Sequence, residues 1–470
     1  MDRSVFDAKF NHRTVDVLGF GISNRPLVRM LLESGAQVTV HDAKEPGTLG
    51  PEALEAQSAG AKFDLFDKDA KGSLDGDYIF RSPGIRPDVP AITEALFRGA
   101  VLTSEMELFL ELTPAMVLGI TGSDGKTTTT TLTGLFLEGV PGRNVYVGGN
   151  IGKPLLPLVF DMKKEDIAVL ELSSFQLMTL RRSPERALIT NVTPNHLNWH
   201  TGMDEYVEAK SQIMRHRPIS LAVLNADNPV TRKLGENSDV RITYFSSRRS
   251  GWHRIVPEWQ SKADAVYIKD GYICHGGQGI GEERILNIDS VKLPGTHNLE
   301  NYMAAIALTH GLCTNERILD VAKTFPGVPH RLEWVRNRDG VDYYNSSIDS
   351  TPSRTEVTLR ALMRQPIVIM GGRDKHLPYD ALCAYLPGHV KAVVLTGEAM
   401  PLIRDAIRAS DPEGKIPVFT EPDFDKAVRL AAGLSRPGDT VLLSPSCTSF
   451  DAFPNFEVRG DRFKEIVMEL

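Results

Sequence analysis

Several features are scarce in this 470-residue chain, and each scarcity narrows the function. Nowhere does an apolar run approach the ~18 residues that a membrane-spanning helix needs. The opening Met1-Asp2-Arg3-Ser4-Val5-Phe6-Asp7 lacks the apolar stretch of a secretion signal. Cysteine is limited to Cys274, Cys313, Cys383 and Cys447, far apart and without a CxxC pair. That spacing argues against a disulfide or zinc framework and for reduced thiols in the cytoplasm. The twelve histidines form no HExxH pattern. Cations are not in surplus: 53 Lys plus Arg against 60 Asp plus Glu gives a net charge of −7. A general nucleic-acid binder is therefore disfavoured, while local basic pockets for small anions stay open. Short-period repeats and low-complexity tracts are also missing.

What is present is ordinary globular material, 41% hydrophobic and 24% charged, which argues against disorder. The length predicts about three domains. Thr14–Leu18 reads as a strand running into Gly19-Phe20-Gly21-Ile22-Ser23-Asn24. A helical segment follows, then a second strand ends at Asp42, a βαβ unit with a parallel sheet. Tyr78-Ile79-Phe80 leads into the turn Ser82-Pro83-Gly84. A second unit opens at Ala115–Thr121 after the linker Glu111-Leu112-Thr113-Pro114, with strands at 167–170, 187–191 and 221–225. A third begins near Pro326-Gly327-Val328-Pro329, with strands at 366–370, 392–396 and 440–444. Residues 246–290 read as irregular strands and loops. The expected fold class is α/β in three domains: Rossmann-like over 1–112, a central P-loop-type parallel sheet over 113–327, and a Rossmann-like α/β domain over 328–470.

The strongest chemical signal is Gly119-Ile120-Thr121-Gly122-Ser123-Asp124-Gly125-Lys126-Thr127-Thr128. A strand enters a Gly-rich turn and Lys-Thr opens a helix. Glycines let backbone amides approach phosphate oxygens, Lys126 adds positive charge, and the Thr127 hydroxyl suits Mg²⁺. Glu171 ends the apolar run Ile167–Leu170 at the same sheet edge, where a carboxylate serves a hard cation or simply caps the chain. Lys210 shares a helical face with Met203, Tyr206, Val207, Ile213 and Met214. An ammonium in an apolar stripe either snorkels or pairs with a carboxylate, or its pKa falls until the amine captures CO₂ as a carbamate. His196, in Asn191-Val192-Thr193-Pro194-Asn195-His196, is either a surface loop residue or a ligand beside Glu171. Gly19, Gly21 and Asn24 with Asp42 form an incomplete dinucleotide fingerprint.

Together these segments resemble the Mur ligase family over nearly the whole chain. Further carriers are Gly148-Gly149-Asn150-Ile151-Gly152, Leu170-Glu171-Leu172-Ser173-Ser174-Phe175-Gln176-Leu177, Gly295-Thr296-His297-Asn298 with Asn301, Pro329-His330-Arg331, Gly371-Gly372 with Lys375, and Ser444-Pro445-Ser446-Cys447-Thr448-Ser449-Phe450-Asp451. The Glu171–Leu177 segment and the serine-rich tail point to the glutamate-adding branch. The resemblance implies an ATP- and Mg²⁺-dependent ligase of peptidoglycan synthesis, cytoplasmic and monomeric, that joins D-glutamate to UDP-N-acetylmuramoyl-L-alanine through an acyl phosphate. It implies no membrane or nucleic-acid partner. It assigns Gly21, Ile22, Ser23, Asp42, Ser82, Pro83, Gly84, Asn150, Ser173 and Gln176 to the sugar nucleotide. Residues 122–128 with Asn298, Asn301 and Arg331 take ATP. Thr127 and Glu171 serve one Mg²⁺, His196 and a carbamylated Lys210 a second, and Lys126, His196 and Lys210 form the catalytic set. Lys375, Ser449, Phe450 and Phe456 hold the amino acid. The family's ribose-binding acid is replaced by Ser346 and a usual lysine by Ile348, leaving Asp349 as the substitute acid; Phe450 narrows the pocket. Other carboxylate–amine ligases, including folylpolyglutamate synthase-like ones, share most of these motifs. A non-catalytic nucleotide-binding module is the alternative from another class.

Overall fold

The computed structural model describes residues 3–66, 74–197, 199–293, 295–362 and 364–470. Among these, three sheets form. The first holds parallel strands in the spatial order Lys62–Leu65, Gln37–Asp42, Thr14–Leu18, Tyr78–Arg81, Val101–Thr103. The order reverses at the first strand, so the crevice beyond Leu18 is the topological switch point where α/β folds bind ligands.

The second sheet runs Gly281–Asn287, Tyr272–Gly277, Asp264–Lys269, Ile242–Ser246, Leu221–Asn225, Arg186–Ile189, Met116–Thr121, Ile167–Glu171, Val145–Gly149. Its central strands are buried along their length, the near-continuous apolar pattern of a parallel sheet covered on both faces. The third sheet runs Glu333–Arg338, Val341–Asn345, Thr440–Leu443, Ile367–Gly371, Ala392–Thr396, Val418–Thr420.

The chain forms two compact units, Met1–Lys323 and Thr324–Leu470. The first contains two sheets, and Arg81 stitches them together. This guanidinium, 1% exposed, donates to the Pro83 and Ile85 carbonyls beside the first sheet. It also donates to the Phe175 carbonyl (2.8 Å) and the Thr179 hydroxyl (3.2 Å) beside the second. Burial pulls its pKa down to about 10. Arg86 adds an ion pair to Glu205.

Three elements differ from the sequence expectation. The segment read as irregular strands and loops over 246–290 contains an antiparallel hairpin, Tyr272–Gly277 against Gly281–Asn287, whose register shifts at Ile273/Cys274 and which extends the parallel sheet. The strand expected to reach Asn191 ends at Ile189, and the Thr190 hydroxyl that follows donates to the Asp124 carbonyl at 2.6 Å. The helical face read through Met214 is α-helical only over Met203–Ser211 and then tightens into a 3₁₀ turn, Gln212–Met214.

The helix Lys126–Leu137 holds five consecutive threonines, Thr127–Thr131, a poor helix-forming run. Packing overrides propensity. Thr129, Thr130 and Thr133 are buried, Thr133 Oγ1 bonds the Thr129 carbonyl, and Phe136 meets Tyr302 of the helix Thr296–Thr309.

Glu105 opens the helix Glu105–Leu112, buried, and its Oε1 has no hydrogen-bond partner. Burial raises its pKa to about 7. The unfolded chain releases this proton near pH 4.5 and the folded chain keeps it to about 7, so stability falls across that window and stays lowered above it. Glu105→Gln removes the penalty. Its melting temperature exceeds the parent's by more at pH 8 than at pH 5, with a gain on the order of 1–3 kcal/mol at pH 8. Equal shifts at both pH values, read by calorimetry, contradict this.

Candidate active site

The phosphate loop is held by the neighbouring strand end. The Ser123 amide donates to the Asn191 carbonyl, and the Asp124 amide to Asn191 Oδ1. Ser123 Oγ bonds the Thr193 carbonyl at 2.9 Å and meets the Tyr206 hydroxyl at 3.0 Å. Gly122 has φ +149°, and a Cβ there would run into Thr190 Oγ1. Gly125 caps the helix in the left-handed region, and a Cβ there would strike Asn301 Oδ1. Both glycines are therefore required by close approach as well as by φ. Thr127 and Thr128 occupy the helix's first turn, half-buried.

Two lysines converge on one carbonyl. Lys126 Nζ donates to the Gly122 and Ser123 carbonyls, each at 2.9 Å. Lys210 Nζ donates to the same Gly122 oxygen at 2.7 Å and lies 4.6 Å from the Tyr206 ring centre. Lys210 is 2% exposed. Burial, and then the charge of Lys126, hold its pKa well below the ordinary lysine value. Of the alternatives left by the sequence, snorkelling is excluded by this burial, and the hydrogen-bond partner is a carbonyl rather than a carboxylate.

Glu171 is buried beside them. Its Oε1 accepts from Asn150 Nδ2 at 2.9 Å, and its Oε2 has no hydrogen-bond partner. A buried, orphaned carboxylate oxygen at the phosphate-loop edge fits a divalent cation. His196 is exposed, at φ +54°, its ring 5.1 Å from that of Phe175. Asn301 Oδ1 accepts from Thr129 Oγ1 and Asn301 Nδ2 donates to Asn298 Oδ1, so both asparagines stand over the loop helix.

At the first sheet, Gly19 (φ +83°) lets Ser82 approach, and Asn24 Nδ2 bonds the Gly19 carbonyl and Ser82 Oγ. Gly21 and Ile22 are exposed and Ser23 precedes the helix Asn24–Glu33. Pro83 and Gly84 offer carbonyls to Arg81 and to Trp199 Nε1. The Asp42 oxygens accept the Phe20 and Lys44 amides and so hold the turn. Ser173 and Gln176 likewise form a reciprocal capping box. Asn150 positions Glu171.

In the second unit, Lys375 is exposed and donates to Ser350 Oγ at 3.2 Å. Its loop is bridged to the serine-rich loop by paired Arg373–Thr448 backbone bonds. Ser449 is buried, Phe456 half-buried, and Phe450 59% exposed. Arg331 lies between two left-handed residues, His330 and Leu332. Asp349 is buried and accepts the Ser444 hydroxyl at 2.8 Å. Burial raises its pKa.

Sequence reasoning missed Asn191, Tyr206, His200 and Arg459. His200 is buried between Ser174 Oγ and Glu205. Arg459 donates to the Ser347, Cys447 and Thr448 carbonyls, joining two loops. Asn191 stood in the segment that leads to His196, and Tyr206 lies one helical turn from Lys210.

Known proteins agree with this architecture. Residues 120–309 match the Mur ligase middle domain and residues 330–447 the Mur ligase glutamate ligase domain. The chain belongs to the Mur ligase family. It is 43% identical over 465 residues to a UDP-N-acetylmuramoylalanine–D-glutamate ligase of Clostridium novyi (strain NT), covering 98% of this chain and 97% of that one. It is 38% identical to the protein of the same name from Clostridium perfringens (strain 13 / Type A), covering 99% of each. Among solved structures, a MurF from Acinetobacter baumannii shares the fold with TM-score 0.56 and 15% identity, over 98% of this chain and 92% of that one.

Proposed function

We propose that this chain ligates D-glutamate to UDP-N-acetylmuramoyl-L-alanine at the expense of ATP, in the cytoplasm, as a step of peptidoglycan precursor synthesis. The relatives' name and the two matched domains support this reading. The observation that carries it is the convergence of Lys126 and Lys210 on the Gly122 carbonyl, beside the orphaned Glu171 oxygen.

A carboxylate does not acylate an amine, because oxide is too poor a leaving group. Its oxygen attacks the γ-phosphorus, the bond to ADP breaks, and an acyl phosphate forms. The glutamate amine then attacks the carbonyl carbon, phosphate leaves, and the amine sheds a proton. Lys126 and the loop amides hold the phosphoryl oxygens and offset their charge. Thr127 and Glu171 would hold one Mg²⁺, and His196 with Lys210 a second. Lys210 suits that role as a carbamate, which replaces a repelling ammonium by an anion. When bound, Mg²⁺ supplies further neutralisation of phosphate charge. Residues 1–112 take the sugar nucleotide, 113–327 the ATP, and 328–470 the amino acid, where Lys375 and Ser449 pair with carboxylates.

Purified protein with ATP, Mg²⁺ and UDP-N-acetylmuramoyl-L-alanine is expected to release ADP on addition of D-glutamate. It is not expected to do so with L-glutamate, a diamino acid or D-alanyl-D-alanine. Release without dependence on D-glutamate overturns the substrate assignment.

A further inference from the structure

At the opposite edge of the second sheet from the phosphate loop, three side chains of metal-ligating type come together. Each of His275, Glu283 and His310 offers one donor atom, all within 4.8 Å of one another. The fold brings them there by register. His275 and Glu283 are direct cross-strand partners in the hairpin Tyr272–Gly277 and Gly281–Asn287. His310 follows the helix Thr296–Thr309, whose carboxyl end carries the negative pole of its dipole and favours a cation. Its ring lies 4.1 Å from that of His275.

Two of the three donors have orienting partners. Asp264, 3% exposed, sets its Oδ1 3.4 Å from His275 Nε2, and no well-aligned hydrogen bond reaches that oxygen. Its other oxygen pairs with Arg241 at 2.8 Å. Carboxylate beside imidazole is the outer arrangement of metal-bound histidines. Glu283 Oε1 accepts from Asn315 Nδ2 at 2.9 Å, while Oε2 turns to His310 Nε2 at 3.7 Å. That gap is too long for a good hydrogen bond and leaves room for an ion.

We propose that His275, His310 and Glu283 form a binding site for a divalent transition metal of the Zn²⁺ class. Two imidazoles and one carboxylate suit Zn²⁺ rather than Mg²⁺, which prefers oxygen ligands throughout. The ion fastens the hairpin to the end of the helix whose other end bears Asn298 and Asn301. The site is separate from the phosphate loop and uses no residue assigned to the reaction.

The test is calorimetric titration of chelator-treated full-length protein with ZnCl₂, alongside His310→Ala and Glu283→Gln. Both altered side chains are about half exposed, so both variants are expected to fold, as circular dichroism checks. His196→Ala serves as a control for Zn²⁺ at the catalytic edge. The proposal expects one Zn²⁺ equivalent that survives His196→Ala and weakens about tenfold or more in each of the other variants. It also expects a Zn²⁺-induced rise in melting temperature that His310→Ala abolishes. Binding unchanged in His310→Ala and Glu283→Gln, or lost only in His196→Ala, overturns it.

Discussion

Lys126→Ala is expected to lower ADP formation by about 10²–10³-fold or more while leaving the fold intact. The ammonium is the charge the loop offers a phosphate. It rests on the Gly122 and Ser123 carbonyls, and a half-buried chain of four methylenes lets it swing to a phosphate. The loop is fixed independently by the Ser123 and Asp124 amides on Asn191, so its shape survives loss of the side chain. Near-native circular dichroism with lost turnover is the expected pair of results. Retained ADP formation with all substrates saturating contradicts the phosphate-loop assignment. Hydroxylamine in the parent reaction should trap a hydroxamate, and Lys126→Ala should yield none.

Removal of Lys210 separates catalysis from stability. Its ammonium is penalised by burial and by Lys126, so the folded protein holds this proton less tightly than the unfolded chain. Folding is therefore disfavoured at neutral pH, and the cost shrinks as pH rises toward the ordinary lysine value. Lys210→Met removes that cost, and its melting temperature at pH 7 is expected to match or exceed the parent's. Activity goes the other way, falling about 10²-fold or more, the scale of losing one charged group at a phosphoryl-transfer site. Lys210→Ala leaves space, and formate or acetate is expected to restore part of the rate by supplying the missing carboxylate. Full activity without added carboxylate rules out a carbamate at this position.

The sequence was most informative where a backbone requirement and a side-chain type coincide. The strand, the Gly122 and Gly125 turns and Lys126 opening a helix are all legible, because few other residues satisfy that geometry. Periodicity alone put Lys210 inside an apolar face, and it is buried there. Its partner was not legible, since Gly122 is distant in the chain and any carbonyl looks alike in sequence. Asp42, Ser173 and Gln176 also satisfy nearby backbone, a local bonding that their sequence positions did not reveal. Asp349 was similarly claimed by the hydroxyls around it. Arg81 and Arg459 had no pattern to mark them among 53 cations, and only burial reveals their roles. The hairpin after Asp264 was obscured by glycines that weaken strand signals.

The buried Arg81 also bears on the proposed choice of substrate. Because one guanidinium grips Pro83 and Ile85 on one side and Phe175 on the other, the turn proposed for the sugar nucleotide is tied to the segment that follows Glu171. The interval between them acts as a ruler. On the proposed binding of the sugar nucleotide, a donor whose reactive carboxylate sits at the wrong reach from its uridine end would be anchored yet fall short of the phosphorus, and length would then select the acyl donor.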